Sequence, residues 1–299
     1  MLRFATPLTF AAIGGMFSER SGVVNIGLEG MMLIGAFFGI LGAHKLGSWP
    51  MGLLCAIVAG GLAALIHAFV SIQLRADQIV SGTAINFLAL GVTGYFFIAV
   101  YGDQGTPGDG IPRIPEISLP WLQHVPGVGE FLWRVFGQMN LMIWLSFALL
   151  IVSYLVMFRS PIGLRIRSVG EHPRAADTVG ISVYLTRYVS VTISGMLAAM
   201  GGAYLSIGFL GSFNENMTAG RGFIALAALI FGKWRPFGAF GAALLFGFSS
   251  ALAQRLPEYT DAGAVLFQAL PYVLTLIAVA GVIGRSIPPA AVGRPYVKQ

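Results

Sequence analysis

A succession of apolar runs matched to the thickness of a lipid bilayer constrains this chain more than any other feature. A helix needs about 20 apolar residues to cross a hydrocarbon core of roughly 30 Å. Runs near or below that length fall at 4–17, 22–42, 51–72, 79–100, 139–158, 188–210, 222–232, 237–254 and 264–284. Only 10% of the residues are charged and 56% are hydrophobic, whereas a soluble domain carries about 25% charged residues. The expected fold class is therefore an all-α polytopic membrane protein of about nine transmembrane segments, some broken, forming one domain over residues 1–299. The runs at 4–17 and 222–232 are short for a crossing. The first is expected to begin before Met1, and the second to be half of a broken helix. Pro7 interrupts the first run and no small-x-small site precedes Ser18, so it reads as a retained segment and not a cleaved signal.

Other residue types exclude several functions. The net charge of +6 is spread thinly, which gives no nucleic-acid patch. Cys55 is the single cysteine, so there is no internal disulfide. His44, His67, His124 and His172 match no zinc spacing. The pair Gly232-Lys233 is followed by Trp234 and lacks the upstream glycine of a phosphate loop. No nucleophile elbow is present. The chain is expected to be neither an enzyme nor the holder of a cofactor or metal.

Orientation follows from the basic residues. With the N-terminus outside and nine crossings, 12 of the 18 Lys and Arg residues fall on the cytoplasmic side, and Arg3, Lys45, Arg113, Arg134, Arg221 and Arg255 fall outside. That bias places the C-terminus in the cytoplasm. Two long loops result: an outer one at 101–138, rich in proline, and an inner one at 159–187 with five arginines. In the inner loop Pro173 suits the first turn of a helix and Gly180 its end. So short a helix is not stable alone and needs a surface to dock on.

Two polar residues stand inside the second run, Asn25 and Glu29. A mid-membrane carboxylate costs about 2.5–3.5 kcal/mol on insertion scales. Taken as one helix from Gly22, the run places Gly22, Asn25, Glu29, Met32 and Ala36 near one stripe. Glu29 then lines a pathway, holds a neighbouring broken helix through backbone N–H groups, or carries a proton. Either of the first two roles predicts that Glu29→Gln keeps substantial transport, since an amide still accepts hydrogen bonds. Asn86, in the fourth run, has an amide with four hydrogen-bonding sites to satisfy and is a further pathway candidate.

The stretches "ATPLTFAAIGGMFSERSGVVNIGLEGMMLIGAF" (5–37), "GEHPRAADTVGI" (170–181) and "GRGFIALAALIFGKWRPFGAFGAALLFG" (220–247) resemble permeases of the branched-chain-type ABC importer superfamily, most closely its simple-sugar and nucleoside branch. The likeness runs from about residue 4 to 284. Those importers share a coupling-helix signature, Glu-Ala-Ala, three residues, then Gly. Here it is matched by Arg174, Ala175, Ala176, Asp177, Thr178, Val179 and Gly180, with Arg174 replacing the glutamate. The resemblance implies a permease subunit importing a neutral polar solute, a nucleoside or a simple sugar. It also implies a second homologous permease, an ATPase with two nucleotide-binding domains that holds ATP and Mg, and an extracytoplasmic substrate-binding lipoprotein. The location implied is the bacterial inner membrane, in contact with its lipid. One or two of the phenylalanines are expected to stack on a substrate base. A proton-coupled secondary transporter using Glu29 is the alternative of a different class.

Overall fold

The computed structural model describes residues 1–102, 105–106, 110–124, 126–255 and 286–298, with two isolated positions at 269 and 273. The run at 264–284 lies almost wholly outside the described residues.

Helix α1, Leu2–Arg20, is buried without interruption from Ala5 to Glu19. A helix apolar all round is ringed by other helices, and α1 is the central post of the bundle. Its 19 residues, which extend the 4–17 run at both ends, span about 28 Å. The second run departs from its expected form. Gly22 has φ +96°, which no right-handed helix accommodates, and residues 23–27 stay irregular. Helix α2 starts only at Leu28 and runs to Leu46. Gly22 and Asn25 therefore share no helical stripe with Glu29, which sits in the first turn of α2.

Helix α3, Trp49–Ala68, continues through a π turn at Phe69–Gln73. Asp77 caps α4, Gln78–Tyr101, by accepting from the Ile79 and Val80 amides. The stretch from 116 to 140 carries α5, Gly129–Phe136, and an antiparallel pair, β1 (Glu116–Ser118) with β2 (Gln138–Asn140). Then come α6 (Leu141–Arg159), α7 (Pro161–Glu171), α8 (Pro173–Thr178) and α9 (Val183–Ala203), the last prolonged by π turns at Tyr204–Leu210. Helix α10, Arg221–Phe231, has only 11 residues, and α11 spans Pro236–Arg255. Among the described residues, five helical stretches are long and apolar enough to cross a membrane: 49–73, 78–101, 141–159, 183–210 and 236–255.

Helices α2, α3 and α9 meet along small residues. A side chain at Gly35 would collide with the Ala199 backbone, and one at Gly202 with the Met32 carbonyl. A Cβ on Gly60 would lie 2.7 Å from the Gly195 oxygen. Backbones approach this closely only where side chains are absent. The bundle has two distinct ends. At one, Arg3 bonds Glu116 at 3.3 Å. At the other, Arg20 donates to the Trp234 carbonyl at 3.0 Å and the Ala291 amide to the Gly170 carbonyl at 2.9 Å.

Gly35→Val is expected to destabilise the protein by about 1–3 kcal/mol or more through overpacking, read as a lowered melting temperature in detergent. Gly91→Ala, where an added methyl meets open space, is expected to leave that temperature unchanged.

Candidate translocation site at two helix breaks

Residues 21–27 carry backbone groups that no helix satisfies, and buried backbone polar groups are nearly always paired. Their partners come from across the fold. The Val24 amide donates to Gln78 Oε1 at 2.7 Å, and the Val24 carbonyl accepts from His67 Nε2 at 3.0 Å. A carbonyl can only accept, so His67 carries its proton on Nε2 and its Nδ1 accepts from the Ser81 hydroxyl at 2.9 Å. Asn86 clamps the start of α2. Its Nδ2 donates to the Ile26 carbonyl at 3.1 Å, and its Oδ1 accepts from the Gly30 amide at 2.8 Å. Asn25 Nδ2 donates to Ser194 Oγ on α9 at 2.9 Å. The Ser18 hydroxyl holds the Val23 carbonyl at 2.7 Å, and Arg187 Nε the Ser21 carbonyl at 3.2 Å.

A second break lies at 211–220, between α9 and α10. Four of its residues have positive φ: Gly211, Asn216, Ala219 and Gly220. Such conformations persist only where the surroundings over-determine them. Phe213 supplies one anchor, fully buried with its ring 5.3 Å from both Phe37 and Phe97. Glu29 supplies the other. Its Oε1 accepts from the Thr218 hydroxyl at 2.6 Å and the Gly220 amide at 2.8 Å, while its Oε2 accepts from the Gly222 amide at 2.6 Å. The first turn of α10 thus has its free N–H groups satisfied by a carboxylate from α2, where a helix N-terminus favours negative charge. Gly222 has no room for a side chain, because a Cβ there would strike the Glu29 backbone. Arg221, expected outside, stands at the start of α10 and donates to the Met217 and Thr218 carbonyls at 2.9 and 3.0 Å.

The second break and the first turn of α2 line a cavity of about 320 Å³, at the small end of the ~300–1,000 Å³ typical of ligand pockets. Glu29, Thr83, Asn86 and Asn216 supply its polar lining, and Leu33, Phe87, Leu90 and Phe223 its apolar lining. Asn25, Glu29 and Asn86 are thus gathered around the first break, with Asn25 turned away from the cavity towards α9. Gln78, one of the polar residues of the fourth run, completes the arrangement with His67, Ser194 and Arg187, which had not stood out in the sequence as site residues. Only a buried polar residue on an apolar run signalled them.

The segment Pro173–Gly180 lies apart, at the end of the bundle that holds Arg20. Pro173 opens α8 and Gly180 follows its end at φ +82°. The Ile181 amide closes back on the Ala176 carbonyl at 3.0 Å. Ala176 packs inward against Val169, Val183 and Tyr296, Asp177 is half-buried, and Arg174 and Ala175 face outward.

Residues 1–279 match the family model for the permease component of the branched-chain amino acid transport system. The chain belongs to this permease family. The permease is 47% identical to the guanosine ABC transporter permease protein NupQ of Bacillus subtilis, over 99% of this chain and 95% of that one. It is 41% identical to the nucleoside ABC transporter permease protein NupC of Lactococcus lactis, over 100% and 95% of the two chains. Identity to a putative glucose ABC transporter permease, TsgC13 of Haloferax volcanii, is 37% over 91% of this chain and 82% of that one. No solved structure matches the permease. Family and apolar helices together make it a multi-pass membrane protein.

Because both Glu29 oxygens accept, the expectation for Glu29→Gln changes: its NH₂ would face an N–H with no acceptor between them. A buried unsatisfied donor costs about 1–3 kcal/mol. Glu29→Gln is therefore expected to lower the stability of the permease by about that amount and to reduce uptake in parallel, and Glu29→Leu to do more. Thermal unfolding in detergent and vesicle uptake check both.

Proposed function

We propose that this chain is the membrane-spanning subunit of an ATP-driven importer of nucleosides. The observation that carries the reading is identity of 41–47% along essentially the whole chain to permeases named for guanosine and for nucleosides. The cavity supports it. Phe87 and Phe223 present exposed faces beside the Asn86 and Asn216 amides, a combination suited to stacking on a base while hydrogen-bonding its edge. A simple sugar is the competing substrate, favoured by the identity to a putative glucose permease.

In this reading Asn25, Glu29 and Asn86 shape the translocation path at the two breaks, and about nine segments cross the bacterial inner membrane. The basic end, with Arg20, Arg167, Arg174, Lys233 and Arg294, faces the cytoplasm, and the N-terminus lies outside. ATP and Mg bind to a partner ATPase with two nucleotide-binding domains, and a lipoprotein delivers substrate from outside. A second, homologous permease covers part of α4, where Val80 and Tyr95 are each about two-thirds exposed. Helix α8 is the coupling helix. Since Ala176 is buried within the chain, the face offered to the ATPase consists of Arg174, Ala175 and Val179, the last 74% exposed.

The assembled transporter in vesicles is expected to take up labelled guanosine when ATP is supplied, and to continue when the proton gradient is collapsed. Glucose is expected not to compete. Uptake that follows the gradient and ignores ATP would replace this reading with a secondary transporter, and competition by glucose would move the substrate to sugars.

Ala175→Trp and Val179→Asp are expected to leave the permease inserted while weakening ATPase co-purification by about 5- to 150-fold, the range set by 1–3 kcal/mol at a packed contact. Quantified pull-down of the ATPase, with uptake measured on the same preparations, checks this.

A further inference from the structure

Residues 286–298 form an irregular strap, with a turn at 290–293, lying across the basic end of the bundle. Chain termini fray unless something ties them down, and ordering each residue costs roughly 1–2 kcal/mol of backbone entropy. This strap is tied at six points, the first being the Ser286 hydroxyl, which donates to the Ile230 carbonyl at 2.9 Å. The Ala290 amide donates to Glu171 Oε2 at 3.1 Å, the Ala291 amide to the Gly170 carbonyl at 2.9 Å, and the Gly293 amide to the Gly22 carbonyl at 3.2 Å. The Arg294 carbonyl accepts from Arg187 Nη1 at 3.1 Å, and the Tyr296 carbonyl from the Tyr184 hydroxyl at 3.4 Å.

Two of these ties connect the strap to the first helix break. Arg187 is 1% exposed and, among the described residues, has no carboxylate within ion-pair distance. A buried cation without a counter-charge is unfavourable. This one is spent on two carbonyls, Ser21 of the break and Arg294 of the strap. Gly22 is the residue that permits it, since a Cβ there would lie 2.8 Å from Arg187 Nη2. At the other end of the strap Tyr296 packs on Ala176, the sole buried residue of α8. Helix α7 also nears the break, where a side chain on Gly170 would strike the Arg20 carbonyl. It also touches α8, where Val169 packs on Ala176; the strap adds hydrogen bonds to the break itself, at Gly22 and, through Arg187, at Ser21.

We infer that the C-terminal strap is the link that carries displacement of α8 to the break beginning at Ser21, through Ala176 and Tyr296, then Arg294 and Gly293, then the Ser21 and Gly22 carbonyls. Arg187 is the positioning residue at the far end of that link. The inference rests on α8 being the coupling helix.

The assembled transporter carrying Tyr296→Ala is expected to keep normal insertion, ATPase co-purification and basal ATP hydrolysis. Uptake per ATP hydrolysed is expected to fall about 5-fold or more, the lower edge of ordinary coupling free energies. Tyr296→Phe, which keeps the ring on Ala176, is expected to restore the ratio. Tyr184→Phe, which removes only the bond to the Tyr296 carbonyl, is the milder second variant and is expected to lower the ratio less, even where Tyr296→Ala expresses poorly. Normal uptake per ATP in both Tyr296→Ala and Tyr184→Phe would overturn the link. Loss of ATPase co-purification in either would also overturn it, making the strap a docking surface instead. If Ala175→Trp is defective while the Tyr296 and Tyr184 variants couple normally, the coupling helix stands and the link alone fails. If wild-type uptake is indifferent to the ATPase, the underlying reading fails first.

Discussion

Hydrocarbon offers no partner to a free peptide group, and the rest of this structure depends on that. Irregular backbone is tolerated at membrane depth only where protein satisfies it, and residues 21–27 are irregular amid a bundle of apolar helices. Their amides and carbonyls draw Gln78 and Asn86 from α4, His67 from α3, Ser194 and Arg187 from α9, and Gly293 from the strap. Each of these elements must stand where it can reach the break. The close glycine packing of α2 against α3 and α9 makes that reach possible.

The second break repeats the solution with a charge. A carboxylate has two oxygens and about four acceptor sites, so one side chain answers a hydroxyl and two amides at once. The N-terminus of α10 carries roughly half a positive charge. Glu29 opposes it, and the Arg221 guanidinium turns towards loop carbonyls nearby. Negative and positive groups are thus balanced beside the cavity, a setting that suits a neutral polar solute better than an ion.

Run length made much of this legible. The apolar stretches at 51–72, 79–100, 139–158 and 237–254 became helices within two residues at each end, because in lipid the length of an apolar run leaves little choice of structure. Pro173 and Gly180 bracketed α8 for equally local reasons. The bounds of the break at 21–27 could not be read from its own residues, which apart from Ser21 and Asn25 are as apolar as a helix. What sets it is polar partners 43 to 169 residues away in sequence. Arg187 was read as one more cytoplasmic charge, and its burial depends on a strap that arrives more than a hundred positions later. Ala175 and Ala176 looked equivalent as a small-residue pair. Packing against Val169, Val183 and the tail's Tyr296 decides that one faces in and the other out.

The 11 residues of α10 rise about 16 Å, half the thickness of a hydrocarbon core. During synthesis such a segment is too short to be handed to lipid as an ordinary span, and the Gly220 and Gly222 amides at its start are bonded to Glu29 of α2. The carboxylate that receives them was made some 190 residues earlier. Biogenesis therefore has an order built into it: α2 must already stand in the membrane, with Glu29 in place, before the chain after α9 can turn inward and wind its half-helix.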